Sequence, residues 1–421
     1  MRRILTGLGL ALTVWATAAG LACGAGLARD AMAPAAAGQQ VLMMLRLAPA
    51  HVRPGSDYAG AYGDGAERSA LRRLAGRLAR QNGLTLVDDW PMPLVGVDCF
   101  VLSVPSGRSP ADVAQRLSRD PEVAWSQPMN LYRAEGAAPA TARLYLAEPA
   151  AREWRLTDLH KVATGRNVRV ALIDSMVDAT HPDLAGQIGA SQNFVAGHAP
   201  APEQHGTAVA GVIAARGVGV LGVAPGARLL ALRACWQQAP PPRGGSPATV
   251  CDSLSLAKAL DFAIGHDAQV INLSLAGPPD PLLGKLIDLA LARRAVVVAA
   301  FDPGLSGGGF PASHPGVVAV ADEAWGAEPA GVYGAPGRDV PTTTPGGHWG
   351  LVSGSSFAAA HVSGLFALVR EHRGASAEPP KLTAASPAGG TIDACASLLG
   401  AAAACPAAGP RFHEASAGAP L

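Results

Sequence analysis

The apolar positions of this 421-residue chain follow two rhythms, and the change falls between residues 134 and 154. Residues 41–47 are a short apolar run of strand length, and 67–81 carries Leu71, Leu74 and Leu78 at helical spacing with arginines on the other face. Further strands are expected at 84–87, 98–104 and 122–126, and a helix at 110–118. The resulting order, β-α-β-β-α-β across residues 40–133, describes a small α+β unit of the ferredoxin-like kind. Residues 134–150 follow, opening on an Ala/Pro-rich stretch that reads as an exposed linker.

From Trp154 onward strands and helices alternate. Near-continuous apolar runs at 168–174, 227–234, 268–275, 295–301 and 316–321 need cover on both faces, which implies a mostly parallel sheet. Helical segments at 205–215, 253–265 and 282–293 lie between them. Residues 151–373 are therefore expected to form a doubly wound α/β domain with its site at the carboxyl ends of the strands. Residues 374–421, rich in Ala, Pro and Gly, are expected to wrap the surface as a tail.

Composition narrows the picture. The chain is 49% hydrophobic and 15% charged, against roughly 25% charged in an ordinary soluble domain. Its 50 glycines and 35 prolines stay below the roughly 25–30% that marks low complexity, so a packed core is expected. With 33 basic and 32 acidic residues the net charge is +1, and no summed field favours nucleic acid as a partner. At the start, Arg2 and Arg3 precede an apolar run over 4–22 with small residues at Ala16-Thr17-Ala18, the layout of a signal peptide within residues 1–28 and hence of a periplasmic or secreted protein. An uncleaved anchor is the other reading of that run. Gly20-Leu21-Ala22-Cys23 also partly matches a lipoprotein cleavage box, with Gly where Leu is usual, which would put lipid on Cys23. These are the membrane routes considered, since no later stretch of about 18 apolar residues is free of charge.

Six cysteines are present, and four form two local couples, Cys235 with Cys251 and Cys395 with Cys405, which in an exported chain read as disulfides. The first would staple an irregular loop, 236–250, marked by Pro240-Pro241-Pro242 and Gly244-Gly245. No CxxC pair points to zinc. Gly217 to Gly222 fits GxGxxG, but a helix precedes it where a strand is required, so a nucleotide is not expected. Gly304 to Gly308 fits GxSxG, yet loop residues follow Ser306 where a nucleophile elbow opens a helix. His181-Pro182-Asp183 reads as a turn start rather than a metal site.

Three residues are candidates for chemistry. Asp174 ends the strand 168–174, where a carboxylate is either a helix cap or a site residue. His205 opens His205-Gly206-Thr207-Ala208-Val209-Ala210-Gly211, whose small residues allow close helix packing beside the imidazole. Ser356 sits in Gly354-Ser355-Ser356-Phe357-Ala358, at the start of a helix so apolar all round that it must be buried, and a serine there also serves as a cap. Together they run in the order Asp, His, Ser, the chain order of the subtilisin triad.

The surroundings of these residues resemble the subtilisin-like serine peptidases. Val177, Asp178 and His181-Pro182-Asp183-Leu184 follow that family's Asp segment, Gly222-Val223-Ala224-Pro225 its next turn, and Val270-Ile271-Asn272-Leu273-Ser274-Leu275 its substrate-flanking strand; Phe310-Pro311-Ala312-Ser313 and Ala335-Pro336-Gly337 match later landmarks. The likeness spans about residues 154–370. It implies a three-layer αβα fold and a serine endopeptidase acting on peptide or protein substrates without a cofactor. His205 would be the base, Asp174 its orienting partner and Ser356 the nucleophile of an acyl-enzyme. The N–H of Ser356, at a helix N-terminus, would donate to the oxyanion. Residues 40–133, ending Asp120-Pro121-Glu122-Val123-Ala124-Trp125, resemble the family's inhibitory propeptide, so a zymogen is implied. By the same likeness Ser274, Leu275, Ala276 and Gly277, with Ala299-Ala300, wall the pocket for the residue before the cut bond, and Gly309 forms its base, leaving an open slot for large apolar side chains. Calcium-binding relatives supply Asn oxygens from the loop that here reads Arg216-Gly217-Val218-Gly219-Val220-Leu221; it has no Asn or Asp, so no metal is expected there.

The departures matter. Where the family has Ala-Ala-Gly-Asn, with the Asn as second oxyanion donor, this chain reads Ala299-Ala300-Phe301-Asp302. Some relatives carry Asp at this place; ionised it cannot donate, and only its protonated form can. Met176 replaces a glycine and Ala360 a proline, both expected as packing changes. Asp302 therefore keeps a second reading open, a catalytically weak or silent relative acting as a binding or scaffold protein.

Overall fold

Period-two alternation in the first strand splits its side chains between two cores, and the organisation of the molecule follows from that split. The computed structural model describes residues 38–47, 60–134, 152–239, 247–323, 329–374, 381–386 and 389–400. The expected signal segment, Cys23, Cys405 and the linker beyond Ala134 lie outside them. In β1 (Gln40–Arg46), Val41, Met43 and Leu45 face α1 (Gly60–Gln81) and α2 (Pro110–Leu117), while Leu42 and Met44 face the opposite way. With β2 (Thr85–Met92), β3 (Val97–Ser103) and β4 (Val123–Pro128) this strand forms an antiparallel sheet of order β2-β3-β1-β4, as a ferredoxin-like unit requires. The second apolar face, Leu42, Met44, Val97, Cys99 and Val101, joins one continuous core with helices of the larger domain.

The larger domain is built on a nine-stranded sheet. Its order is β18 (Thr383–Ser386), β19 (Gly389–Asp393), β15 (Val332–Ala335), β14 (Val318–Asp322), β13 (Val296–Ala300), β11 (Val270–Leu273), β6 (Arg169–Asp174), β8 (Arg228–Arg233) and β7 (Ile188–Asn193). Every pairing from β7 to β19 is parallel. Helices α3 (Gln204–Ala214) and α6 (Ser355–Arg373) cover one face, and α4 (Ser253–Gly265) and α5 (Pro281–Ala292) the other, giving the αβα layers. The all-apolar strands are buried on both sides, as parallel strands must be.

Four expectations need correction. The stretch from 374 is not a loose tail throughout: β18 and β19 extend the central sheet, and α7 (Ala394–Leu399) packs on it through Leu398. These strands are short and Gly/Ala-rich, with Ile392 as the main apolar anchor, so they carry little periodicity. The loop 236–250 is regular at both ends, where β9 (Cys235–Gln237) pairs antiparallel with β10 (Thr249–Asp252) and Cys235 is disulfide-bonded to Cys251. The expected boundary at 133/134 falls inside β5 (Leu131–Ala134), a strand that lies between β10 and β12 (Leu275–Ala276) in a second sheet of order β12-β5-β10-β9. The predicted strand 268–275 is thus two strands, β11 in the central sheet and β12 in the small one, with Ser274 at the joint. Ser306 lies in an exposed single turn, as a plain loop residue should.

The glycine-rich loop that mimics a nucleotide motif does hold an anion, but the anion is the chain's own. The buried Asp183 carboxylate accepts the N–H of Val218 at 2.5 Å through Oδ1, and those of Gly219 (2.9 Å), Val220 (3.2 Å) and the Trp349 indole (2.6 Å) through Oδ2. Donors surround this carboxylate, a set that suits an anion and does not fit a cation. Asp183→Asn, which sets an NH2 group among N–H donors, is expected to cost about 1–3 kcal/mol of stability. Thermal unfolding of the full chain carrying Ser356→Ala as background checks this, and an unchanged melting temperature would show that the carboxylate does not hold the loop.

Candidate active site

Asp174 is the last residue of β6, at the carboxyl end of the parallel sheet, and α3 begins with Gln204-His205 directly above it. The two elements meet closely: a Cβ at Gly206 would stand 2.2 Å from the carbonyl oxygen of Ser175, so only glycine fits, and its N–H donates to Ser175 Oγ at 2.9 Å. This contact sets the imidazole against the carboxylate. His205 Nδ1 lies 2.9 Å from Asp174 Oδ1 and 3.0 Å from Oδ2, and Ser175 N–H fixes Oδ1 from the other side at 2.6 Å. His205 Nε2 is buried and has no hydrogen-bond partner. The ring faces the helix that carries Ser356, with its centroid 5.5 Å from that of Phe357.

Ser356 is fully buried in the first turn of α6, which starts after Gly354 at φ +143°. Its hydroxyl donates to the Ser274 carbonyl at 2.9 Å, and the Ser274 hydroxyl donates to the Ser356 carbonyl at 2.8 Å. Asn272 extends this tie, donating to Ser274 Oγ and accepting from Ser363 Oγ. The joint between β11 and β12 is thereby locked to the start of α6. His361, one turn further on, is fully buried with its ring nitrogen 3.0 Å from the Phe357 carbonyl; burial pulls its pKa down to about 4, so it stays neutral.

The other predicted residues cluster around this joint. Gly277 and Phe310 exchange backbone hydrogen bonds at 2.8 and 2.9 Å, which brings the segment 274–277 beside Gly309; a Cβ on Gly309 would stand 3.2 Å from that of Ala276. Asp302 follows β13, half-buried, and its Oδ1 accepts the Gly304 N–H at 2.7 Å. Ser355 Oγ donates to the Phe301 carbonyl at 2.8 Å and ties this loop to the start of α6. Between β10 and β12 lies β5: Ala134 pairs with Leu275 and Arg133 with Ala276 on one side, Tyr132 with Cys251 on the other. Cys395 opens α7, and its expected partner Cys405 lies outside the described residues. Cys99 is buried with a free thiol.

Sequence reasoning missed the clamp behind His205. Glu203, immediately before α3, accepts two bonds from the buried Arg233 guanidinium, Nη2 to Oε1 at 2.9 Å and Nε to Oε2 at 3.1 Å. The same carboxylate accepts the N–H of Met176 at 2.6 Å and of Gln237 at 3.1 Å, while the Glu203 N–H donates to the Met176 carbonyl at 2.8 Å. One carboxylate therefore joins the ends of β6 and β8 to the start of α3. Nothing in the spacing signals it, because Arg233 sits 30 residues downstream and reads only as the polar end of a strand. Removing one member of a buried pair strands the other. Arg233→Met is expected to cost about 3–5 kcal/mol of stability, with Arg233→Lys costing less and Glu203→Gln recovering part of the loss in the Met background. Denaturant unfolding checks this, and additive single and double effects would refute it.

Among the described residues no group of three or more His, Cys, Asp or Glu side chains is placed to hold a metal ion. Comparison with known proteins agrees with the layout. The profile of the subtilase family matches residues 165–386. Subtilisin from Bacillus pumilus is 37% identical over 231 residues, covering 49% of this chain and 78% of that protein. Subtilisin E from Bacillus subtilis is 36% identical over the same length, and here the chain spans just 56% of the relative. Fervidolysin from Fervidobacterium pennivorans, a keratinolytic enzyme related to subtilisin, superposes with a TM-score of 0.62 at 21% identity over 87% of this chain and 61% of its own. With a matching family profile over more than half its length, the chain belongs to the subtilase family.

Proposed function

We propose that the chain is an exported serine endopeptidase, made as a zymogen, that hydrolyses peptide bonds through Asp174, His205 and Ser356. The observation that carries this reading is the bonded Asp174–His205 pair, whose Nε2 has no hydrogen-bond partner and whose ring lies beside Phe357, the neighbour of Ser356. In this reading the Ser356 hydroxyl leaves the Ser274 carbonyl, to which it donates at 2.9 Å, and gives its hydrogen bond to that nitrogen. Oγ then attacks the substrate carbonyl carbon while its proton passes to Nε2; the C–N bond breaks as that proton moves to the leaving amine, and water repeats the sequence to free the acid. Asp174 holds Nδ1–H and stabilises the imidazolium. The Ser356 N–H serves the oxyanion, joined by Asp302 when that carboxyl carries its proton.

The first unit fits the role of an intramolecular inhibitor. Its strand β5 lies along Leu275 and Ala276, the backbone that an extended substrate needs, and its sheet shares a core with α4 and α5. The Cys235–Cys251 disulfide suits an oxidising compartment outside the cytosol. No helix among the described residues is long and apolar enough to cross a membrane. The silent-relative reading rests on Asp302, whose Oδ1 is already an acceptor for the Gly304 N–H.

Two experiments separate these readings. Purified protein that has lost its first unit should be labelled at Ser356 by a fluorophosphonate, whereas the Ser356→Ala chain should keep the first unit attached by mass spectrometry. Absence of labelling, or removal of the unit in Ser356→Ala without an outside protease, would defeat the peptidase assignment. Asp302→Asn supplies an uncharged donor where a carboxylate offers none and is expected to raise kcat/KM by about 10²–10³. An unchanged kcat/KM for the variant would mean that Asp302 does not face the oxyanion.

A further inference from the structure

The slot between β10 and β12 holds more than backbone. The Tyr132 side chain projects into it and is 1% exposed. Its ring lies against Gly277, where a Cβ would stand 2.3 Å from Tyr132 Cδ1, and is tilted on Phe310 at 6.4 Å. At the far end its hydroxyl donates to Asp280 Oδ2 at 3.1 Å. Asp280 is 3% exposed, and residues outside the first unit hold it in place: Oδ1 caps α5 by accepting the N–H of Leu282 and Leu283 at 3.0 Å each, and Oδ2 accepts Ser253 Oγ at 2.6 Å. The first unit adds Gln127 Nε2 at 2.7 Å and Asn130 Nδ2 at 3.3 Å to Asp280, besides the Tyr132 hydroxyl. When that unit leaves, these three donors leave together. A preorganised carboxylate then faces an open slot shaped for a flat ring.

We propose that Asp280 is a specificity-determining residue, selecting substrates that place a tyrosine hydroxyl at the floor of this slot, four residues before the cut bond. The position follows from the register: Ala134 lies opposite Leu275, one residue short of Ser274, whose carbonyl holds the Ser356 hydroxyl. A substrate lying in the same register is cut one residue beyond the place of Ala134, so the place of Tyr132 is fourth. Burial and the neighbouring Asp280 charge push the pKa of the Tyr132 phenol well up, so it stays a donor. Phenylalanine fills the same space but leaves the carboxylate without that donor, a loss of about 10–100-fold for a hydrogen bond to a charged group.

The inference rests on the peptidase reading for its substrate and on the Tyr132–Asp280 contact for its chemistry, and each is tested. Self-processed protein is given two peptides that differ only in tyrosine or phenylalanine at the fourth residue before the cut. The tyrosine peptide should have the higher kcat/KM by about tenfold or more, and Asp280→Ser, which keeps a helix cap but withdraws the carboxylate, should bring the ratio near one. In the full chain carrying Ser356→Ala, where no catalysis is needed, Tyr132→Phe should speed removal of the first unit by an added protease about tenfold, and should have no such effect beside Asp280→Ser. Equal cutting of the two peptides overturns the inference. If neither peptide is cut, the peptidase reading fails and the second measurement alone decides: an unchanged release rate for Tyr132→Phe overturns the role of Asp280, and faster release upholds it.

Discussion

The approach of α3 to the end of β6 is the constraint on which the site depends. At Gly206 the helix backbone touches the carbonyl of Ser175 so closely that a methyl group has no room, and around that contact the chain places its short-range bonds: Ser175 to Gly206, Asp178 N–H to Thr207 Oγ1, and the Glu203 carboxylate to Met176. A small outward shift of α3 would break all of them and part His205 from Asp174. Precision here comes from backbone packing, since the His–Asp contact itself is one hydrogen-bonded pair.

A second constraint governs the first unit. Its sheet is apolar on both faces, but its own helices cover only one; the other is buried because α4 and α5 lie against it. A sheet with one face unpartnered is not independently stable in water, so the unit's folding and its docking are thermodynamically linked. Helices α4 and α5 cap themselves through Asp252 and Asp280, so they do not need the unit for their own termini.

Much of this was legible in the chain. Strands such as 168–174 and 295–301 were readable because parallel strands covered on both faces are near-continuous apolar runs, and α4 lies where the helical segment 253–265 was expected. The three candidate residues stood out through their order and their surroundings, the small residues after His205 and the all-apolar helix after Ser356 among them. Elements β5, β9, β10, β18 and β19 were not readable. Each is only three to five residues long, too short to show a period, and β5, β10 and β19 lean on partner strands distant in sequence, as Tyr132 does beside Cys251. The clamp of Glu203 with Arg233 was equally hidden, because a buried ion pair leaves no periodic trace. The GxGxxG match was set aside as a nucleotide site on the order of its elements, and the carboxylate that its N–H groups hold, Asp183, was not foreseen, because it lies some 35 residues upstream.

The break at Ser274 has a consequence for what the protein can act on. Because the chain leaves the central sheet there and continues as β12, the space between β12 and β10 is the place of one strand, held here by β5, and without β5 both banks would present unpaired backbone groups. Any guest must bring its own unpaired N–H and C=O groups to both sides at once. A helix or an interior strand has already committed those groups. The slot therefore reads the conformational state of a polypeptide before it reads its side chains, and a folded protein presents itself there only through segments that can be drawn out straight.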